Sequence, residues 1–190
     1  MHAPLSLRFM IKRWFQRRKA PRLQVLMVCT GNICRSPMAE GVMRAKLAQA
    51  GLADQVAVDS AGTHGFARGT LPDPRAVAQA AQRGYRLDGL KSRPLVADDF
   101  SRFDLLLAMD RVNLAALHSR CPPGVVPDRL ALLLPFAAPA PGGQVSVPAV
   151  DEVPDPYFGN LAGFALALDL IEPACDGLVL VLKRRLTYAA

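Results

Sequence analysis

The sequence predicts an α/β domain in which a parallel β-sheet is covered by helices on both faces. Short apolar runs rich in valine and leucine alternate along the chain with stretches of helical periodicity. Parallel strands need crossover helices, and strands that are buried on both faces are apolar without interruption. The length of 190 residues fits one domain with its own core.

Four strands and four helices are expected, and turn residues bound several of them. The predicted strands cover residues 24–29, 56–60, 104–109 and 130–134. Three predicted helices cover 36–50, 73–83 and 161–186, and another follows the third strand and ends at about Arg120. Pro37 and Gly51 bound the first helix, and Gly84 closes the second. Pro173 is expected to kink the last helix. Residues 137–150 are rich in Pro and Gly and are expected to form a loop.

The basic residues are concentrated at the N-terminus. The chain has a formal charge of +7, and residues 1–22 hold seven of its 23 basic side chains and no acid. The remainder carries 16 basic and 16 acidic side chains. We therefore predict a basic tail over residues 1–22 and a domain over 23–190. A nucleic-acid-binding domain would carry a basic face of its own, so no nucleic-acid partner is expected.

The tail allows two interpretations. Apolar side chains recur in it at helical spacing between basic ones, namely Leu7, Met10, Ile11 and Trp14. A basic amphipathic helix of this kind could make weak contact with an anionic membrane surface. A flexible tail, or an over-extended start of the reading frame, is the simpler interpretation and the one we favour.

The cysteines and histidines do not have the spacing of a metal site. Cys29, Cys34, Cys121 and Cys175 form no CxxC pair, and the three histidines are scattered. No metal and no cofactor are expected. The N-terminus lacks the apolar run of a signal peptide, and no apolar stretch approaches the roughly 20 residues of a membrane span. We expect a cytoplasmic protein with reduced thiols.

The loop between the first strand and the first helix, residues 29–36, has the features of an anion site. Ligands of open α/β sheets bind at the carboxyl ends of strands, and a helix N-terminus attracts anions. Gly31 and Asn32 can adopt positive φ, which would turn N–H groups inward around a tetrahedral dianion. Arg35 could hold two phosphoryl oxygens with its planar guanidinium.

Cys29 would lie at the bottom of this loop. A helix N-terminus and an arginine favour the thiolate, and Ser36 could donate a hydrogen bond to the sulfur. Attack on phosphorus would give a cysteinyl phosphate. The alternative is a buried structural cysteine in a turn, but the strand before the loop and the helix after it favour catalysis. The chain contains no GxxxxGK[ST] motif of the ATP-binding type.

The segment VCTGNICRSPMAE resembles the opening signature of the low-molecular-weight protein tyrosine phosphatases. Further segments resemble the family in the same order: DSAGT at 59–63, PDPRA at 72–76, residues 103–110 ending in AMD, and VPDPYFG at 153–159. The similarity runs from about Leu23 to the C-terminus. It implies a phosphotyrosine phosphatase I-like fold with strand order 2-1-3-4, and the metal-free hydrolysis of phosphotyrosine, which is the activity of a protein-tyrosine-phosphatase.

The resemblance also implies roles for individual residues. Cys29 is the expected nucleophile, Arg35 the phosphate clamp and Asp155 the general acid and then base. Without the resemblance, an Asp between prolines is more often a turn residue. The substrate-binding residues that it implies are Thr30, Gly31, Asn32, Ile33, Cys34, Ser36, Phe66, Tyr157 and Phe158, with Ser60 in support. From the residues alone, Ser60 would be a strand-end cap and Phe66 could equally anchor a loop.

Some positions carry open alternatives. In the family, a pair such as Cys29 and Cys34 can form a reversible disulfide that protects the nucleophile, but Cys34 could equally be a small core residue. Ile33 resembles the tyrosine-specific members, whereas relatives that act on phosphoarginine tend to have threonine there. Leu90 replaces a histidine that braces the loop asparagine in many members, which leaves the details of that network open.

Other functions remain as alternatives. A thioredoxin-linked arsenate reductase shares the fold and the Cys-x5-Arg loop, but it needs further cysteines close together, and Cys121 and Cys175 are 54 positions apart. A phosphate- or phosphotyrosine-binding module would be expected to lose Cys29 or Asp155. The expected partners are phosphotyrosine proteins, and bacterial relatives often counteract tyrosine kinases of exopolysaccharide synthesis.

Overall fold

The computed structural model describes residues 20–65, 68–124, 127–137 and 150–188. Within them the chain forms a four-stranded sheet with the order β2-β1-β3-β4, in which every pairing is parallel. The strands are β1 (Leu23–Cys29), β2 (Val56–Gly62), β3 (Leu105–Ala108) and β4 (Leu130–Leu132). The α/β class and the strand order are therefore confirmed.

Five α-helices lie in the described residues. They are α1 (Arg35–Gln49), α2 (Pro74–Gln82), α3 (Asp99–Arg102), α4 (Arg111–Arg120) and α5 (Leu161–Tyr188). Single 3-10 turns cover Pro127–Arg129 and Leu134–Phe136. None of the helices in this part of the chain has the length and apolar character needed to cross a membrane.

Both faces of the sheet are buried under helices, because the side chains of β1 alternate between two cores. Val25, Met27 and Cys29 belong to the core that the sheet shares with α1, α2 and α5. Leu26 and Val28 belong to the core on the other face, toward α3 and α4. The first core also contains Met38, Met43, Phe164, Leu168 and Leu178, and the second contains Phe100, Phe103, Leu117 and Leu130.

Two elements differ from the sequence expectation. The fourth strand ends at Leu132 rather than at residue 134, because Leu134–Phe136 turn into a 3-10 helix with Pro135 near its start. Helix α3 was not predicted, since four residues are too few to show a helical period. Helix α5 covers Leu161–Tyr188 with Pro173 inside it, as expected, and the kink at this proline stays a prediction. Residues 1–19 of the tail and 138–149 of the predicted loop lie outside the described residues.

The strand order distinguishes the carboxyl end of β1 from the ends of the other strands. The chain leaves β1 toward β2 on one side and later returns to β3 on the other, so the end of β1 is the switch point where open α/β sheets bind ligands. Cys29 is the last residue of β1, and α1 starts six residues later, at Arg35. The fold thus directs the loop singled out from the sequence to the expected binding edge.

Candidate active site

The loop from Cys29 to Arg35 turns sharply before α1. Asn32 has a φ of 55°, in the left-handed region that asparagine tolerates better than most residues. Gly31 does not adopt a positive φ, so the expectation for this residue was wrong. The turn is completed by Asn32 alone, and a Cβ on Gly31 would meet only the Ile33 side chain, at 3.5 Å. Helix α1 begins without a side-chain cap, which leaves N–H groups of its first turn for an anion.

The Cys29 sulfur lies at the bottom of this loop and is surrounded by hydrogen-bonding groups. The Asn32 backbone N–H donates to Sγ at 3.2 Å, and the Ser36 hydroxyl lies 3.0 Å from Sγ. The same hydroxyl accepts a hydrogen bond from Asn32 Nδ2 at 2.9 Å. Because one lone pair of Ser36 is used in this way, its own proton is available to the sulfur. Two donors can thus stabilise negative charge on Cys29.

Both polar atoms of the Asn32 carboxamide make hydrogen bonds. Its Nδ2 donates to Ser36 and also to Ser60 Oγ at 2.8 Å, while Oδ1 accepts from the Arg93 backbone N–H at 2.9 Å. Leu90, which stands where the resemblance implies a histidine, is a buried core residue. The carboxamide of the loop asparagine is therefore held by Ser36, Ser60 and the Arg93 backbone, with no contribution from a histidine at position 90.

Glu40 extends the network below Ser60. The Ser60 hydroxyl donates to Glu40 Oε2 at 2.6 Å, and the buried carboxylate pairs with Arg44, one helical turn further along α1. Burial raises the pKa of Glu40, while the Ser60 hydrogen bond and the Arg44 charge oppose that rise. Glu40 was not singled out from the sequence as a site residue. Its place in the VCTGNICRSPMAE segment was the available signal, but its function depends on the distant Ser60.

Arg35 is buried and is contacted by two carboxylates. Its Nη1 donates to Asp110 Oδ2 at 2.5 Å and to the Val153 carbonyl at 3.1 Å. Its Nη2 donates to Asp155 Oδ2 at 2.5 Å and to Thr30 Oγ1 at 3.3 Å. The guanidinium is thus fixed in one orientation beside Cys29, as a phosphate clamp requires.

Asp110 was not singled out from the sequence as a site residue. It caps α4 by accepting the Asn113 backbone N–H at 2.6 Å with Oδ1, which leaves Oδ2 for Arg35. The signal was its position two residues after the end of the buried strand β3, at the same edge of the sheet as Cys29.

The cleft above the sulfur has a volume of about 670 Å³. It is lined by Cys29, Thr30, Gly31, Ile33, Cys34, Arg35, Thr70, Asp155, Tyr157 and Phe158. The rings of Tyr157 and Phe158 form an edge-to-face pair with centroids 4.9 Å apart. All of these except Thr70 were expected from the sequence, and Phe66 lies outside the described residues.

The neighbouring thiol of Cys34 is in a different environment from Cys29. All four cysteines lie in the described part of the chain, and each is a free thiol. Burial, followed by the charge of Asp73, raises the pKa of Cys34 to about 12. Cys34 is therefore a neutral thiol over the physiological pH range.

A family model and two related proteins point to the same family. Residues 24–187 match the low molecular weight phosphotyrosine protein phosphatase family. A low molecular weight protein-tyrosine-phosphatase of Streptomyces coelicolor is 41% identical over 162 residues, which cover 85% of this chain and 94% of that protein. A low molecular weight protein-tyrosine phosphatase A of Mycobacterium tuberculosis is 38% identical, over 82% of this chain and 89% of that protein.

A solved structure shares the fold as well. The crystal structure of a protein tyrosine phosphatase from Entamoeba histolytica, with Hepes in its active site, superposes with a TM-score of 0.77. The two sequences are 36% identical, and the match covers 85% of this chain and 97% of the other.

Proposed function

Because the chain belongs to the low molecular weight phosphotyrosine protein phosphatase family, we propose that it hydrolyses phosphotyrosine in proteins, with Cys29 as nucleophile, Arg35 as phosphate clamp and Asp155 as general acid and base. One observation carries the assignment. Asp155, which is 120 positions after Arg35 in the sequence, lines the same cleft at the end of β1 as Cys29 and Arg35.

Substrate binding uses the charge of Arg35. Its Nη2 contacts the Asp155 carboxylate, and a phosphate dianion entering the cleft would compete for the same donor. When the phosphate takes this donor, Asp155 Oδ2 is free to face the ester oxygen, while Oδ1 keeps the hydrogen bond from the Tyr157 backbone N–H. Asp110 stays behind Arg35 and keeps the guanidinium oriented.

In the first step, the Cys29 thiolate attacks phosphorus. The sulfur–phosphorus bond forms while the bond between phosphorus and the phenolic oxygen breaks, and the proton of the Asp155 carboxyl goes to that oxygen. In the second step, the Asp155 carboxylate takes a proton from a water molecule whose oxygen attacks phosphorus. The sulfur–phosphorus bond breaks, inorganic phosphate is released, and the Cys29 thiolate is regenerated.

The loop stabilises sulfur in both steps. The Asn32 N–H and the Ser36 hydroxyl would support the thiolate before attack and again when sulfur is the leaving group. The network of Asn32, Ser36 and Ser60 holds these donors in place.

We further propose that Ile33, Tyr157 and Phe158 receive the phosphotyrosine ring, while Thr30, Gly31, Asn32, Cys34 and Ser36 surround its phosphate. Tyr157 and Phe158 offer aromatic faces at the mouth of the cleft, and Phe158 is 98% exposed. An apolar Ile33 side chain at the loop favours phosphotyrosine over phosphoarginine. Phe66 is included as a wall residue on the resemblance alone.

Arsenate reduction is less well supported. It would need a relay of thiols from Cys29 to the surface, but Cys175 is enclosed in the core beside the Ala39 carbonyl, and burial raises its pKa. Cys121 lies at the other end of α4 from Asp110, in contact with the core of the opposite face of the sheet.

We also propose bounds for the domain, a role for the tail, the class of substrates and the cellular compartment. We propose a phosphatase domain over residues 23–190 and a basic tail over 1–22, for which weak contact with anionic membranes is the alternative and not the favoured role. We propose phosphotyrosine proteins as substrates, including a bacterial tyrosine kinase of exopolysaccharide synthesis. Four free thiols are consistent with the reducing cytoplasm.

The test is hydrolysis of para-nitrophenyl phosphate in the presence of EDTA. The wild-type protein should turn over, Cys29→Ser should be inactive, and Asp155→Ala should be slowed by roughly 100-fold or more. Cys121→Ser, which alters a cysteine outside the cleft, should retain wild-type activity. Activity in Cys29→Ser would contradict the assignment. Comparing phosphotyrosine and phosphoarginine peptides then tests the substrate, since the proposal requires preference for phosphotyrosine.

A further inference from the structure

Arg75 joins two loops of the cleft. It lies in the first turn of α2, directly after Pro74. Its Nη2 donates to the Tyr157 carbonyl and its Nη1 to the Gly159 carbonyl, both at 3.0 Å. These carbonyls belong to the segment that begins with Asp155, which we call the acid loop (residues 155–159). Arg75 thus holds the acid loop by its backbone, just after the proposed proton donor.

The Arg75 guanidinium is also held by groups outside the acid loop. Its Nε and Nη2 donate to the two oxygens of Asp73, at 3.0 and 2.8 Å, in a bidentate pair. Its central carbon lies 4.7 Å from the centroid of the Phe164 ring, which is fully buried in α5. Arg75 therefore has little freedom to move relative to α2 and α5.

Asp73 continues the connection to the phosphate loop. Its backbone N–H donates to the Ile33 carbonyl at 2.8 Å, and its carboxylate caps α2 by accepting the Arg75 N–H at 2.8 Å. An unbroken chain of hydrogen bonds therefore runs from Ile33, beside the nucleophile, through Asp73 and Arg75 to the acid loop.

We propose that Arg75 is a positioning residue that sets the placement of Asp155 relative to the ester oxygen, so that its loss impairs proton delivery to the leaving group. The inference rests on the proposed function, because it concerns the proton that Asp155 donates. It follows from the geometry, since a general acid works only within hydrogen-bond reach of the oxygen that it protonates. Lysine cannot replace Arg75, because an ammonium group cannot span two carbonyls and a carboxylate in one plane.

The experiment uses two substrates that differ in their need for a proton. The value of kcat/KM is measured for para-nitrophenyl phosphate, whose leaving group is stable as an anion, and for phenyl phosphate, whose leaving group is not. Arg75→Met and Arg75→Lys should each lose about tenfold more activity on phenyl phosphate than on para-nitrophenyl phosphate. Asp155→Ala lacks the proposed general acid altogether, so its selective loss on phenyl phosphate is the upper limit for the Arg75 variants.

Arg83 provides a matched control at the other end of α2. It pairs with Asp169 and Glu172 at 2.8 Å and donates to the Ala165 carbonyl at 3.1 Å, so all of these contacts are to α5 and none is to the acid loop. Arg83→Met should lower the free energy of unfolding while leaving the ratio between the two substrates unchanged.

A double mutant completes the test. In an Asp155→Ala background, Arg75→Lys should cause no further selective loss, because the group that it positions is gone. A wild-type substrate ratio in Arg75→Lys, or a selective loss that persists in full without Asp155, would overturn the inference while leaving the proposed function intact. Absence of any selective loss in Asp155→Ala itself would overturn both.

Discussion

The carboxylate of Asp110 lies 2.5 Å from Arg35 Nη1, on a different edge of the guanidinium from the one that Asp155 contacts. The two acids therefore have separate tasks. Asp110 also caps α4 and is largely buried, so it stays in place, whereas Asp155 is about half exposed on its loop and can exchange with a phosphate.

Replacing Asp110 should weaken the clamp. In Asp110→Asn the buried Arg35 loses its fixed counter-charge, and kcat/KM for para-nitrophenyl phosphate should fall roughly 10- to 100-fold, as is typical when a supporting partner is lost. Inhibition by inorganic phosphate should weaken in parallel. Asp151→Asn is the control, because it removes an ion pair with the exposed Arg111, and such pairs contribute about 0–1 kcal/mol. Equal effects of the two substitutions would contradict the separate role of Asp110.

Ser60 should matter to both stability and rate. In Ser60→Ala, Asn32 Nδ2 loses one acceptor and the buried Oε2 of Glu40 loses its hydrogen-bond donor, while Oε1 keeps its pairing with Arg44. An unsatisfied buried group costs about 1–3 kcal/mol, and the loosened loop should lower kcat roughly tenfold. Urea unfolding and steady-state kinetics measure these two effects. Ser101→Ala, which removes an exposed hydroxyl, should change neither, and a Ser60→Ala protein with wild-type kcat would show that the network is dispensable.

Gly62 should be needed for its lack of a side chain. A Cβ at this position would lie 2.9 Å from the Thr30 carbonyl oxygen and 3.1 Å from the carbonyl carbon of Gly31, so the phosphate loop would have to shift. Gly62→Ala should destabilise the protein by about 1–3 kcal/mol and lower activity. Gly65→Ala is the matched control for Gly62→Ala, because a Cβ at position 65 would meet only the Pro94 side chain, at 3.5 Å. It should be tolerated in both thermal unfolding and the phosphatase assay.

Tyr85 should make stability depend on alkaline pH. Burial, followed by the charge of Glu172, raises its pKa from an ordinary value of 10.0 to about 12. Between these values the unfolded chain has released the proton and the folded chain has kept it, so raising the pH favours unfolding. The free energy of unfolding should therefore fall less steeply above pH 10 in Tyr85→Phe than in the wild type.

The control for this pH effect is Tyr188→Phe. Tyr188 is 90% exposed, so its loss should leave the alkaline slope unchanged. Urea titrations at several pH values measure the slope for each protein. Parallel curves for Tyr85→Phe and the wild type would show that Tyr85 holds its proton no more tightly than the unfolded chain does.

The part of the site that could be predicted is the part contiguous in sequence. Cys29, Arg35 and Ser36 fall in one strand–loop–helix segment, where the chemistry of the loop follows from spacing alone. Asp155 has no such local signal, because an aspartate between prolines is an ordinary turn, and only the resemblance singled it out. The strand order came from the resemblance as well, since periodicity does not encode which strands are neighbours.

The residues that were missed act across the fold. Asp110, Glu40 and Arg75 lie on separate elements, and each gains its function from a partner at least 20 positions away. The expectation of positive φ was right for Asn32 and wrong for Gly31, because a single left-handed residue is sufficient for the turn. Local sequence indicates where a loop lies, but not which distant side chains brace it.

The most direct test of the central claim is to trap the intermediate. The wild-type protein is mixed with para-nitrophenyl phosphate, quenched during turnover in denaturant at alkaline pH, digested and analysed by mass spectrometry. The account predicts one phosphoryl group on the peptide that contains Cys29, located on its sulfur, and none in Cys29→Ser treated in the same way. A phosphoryl group on any other residue, or phosphate release by the Cys29→Ser protein, would contradict it.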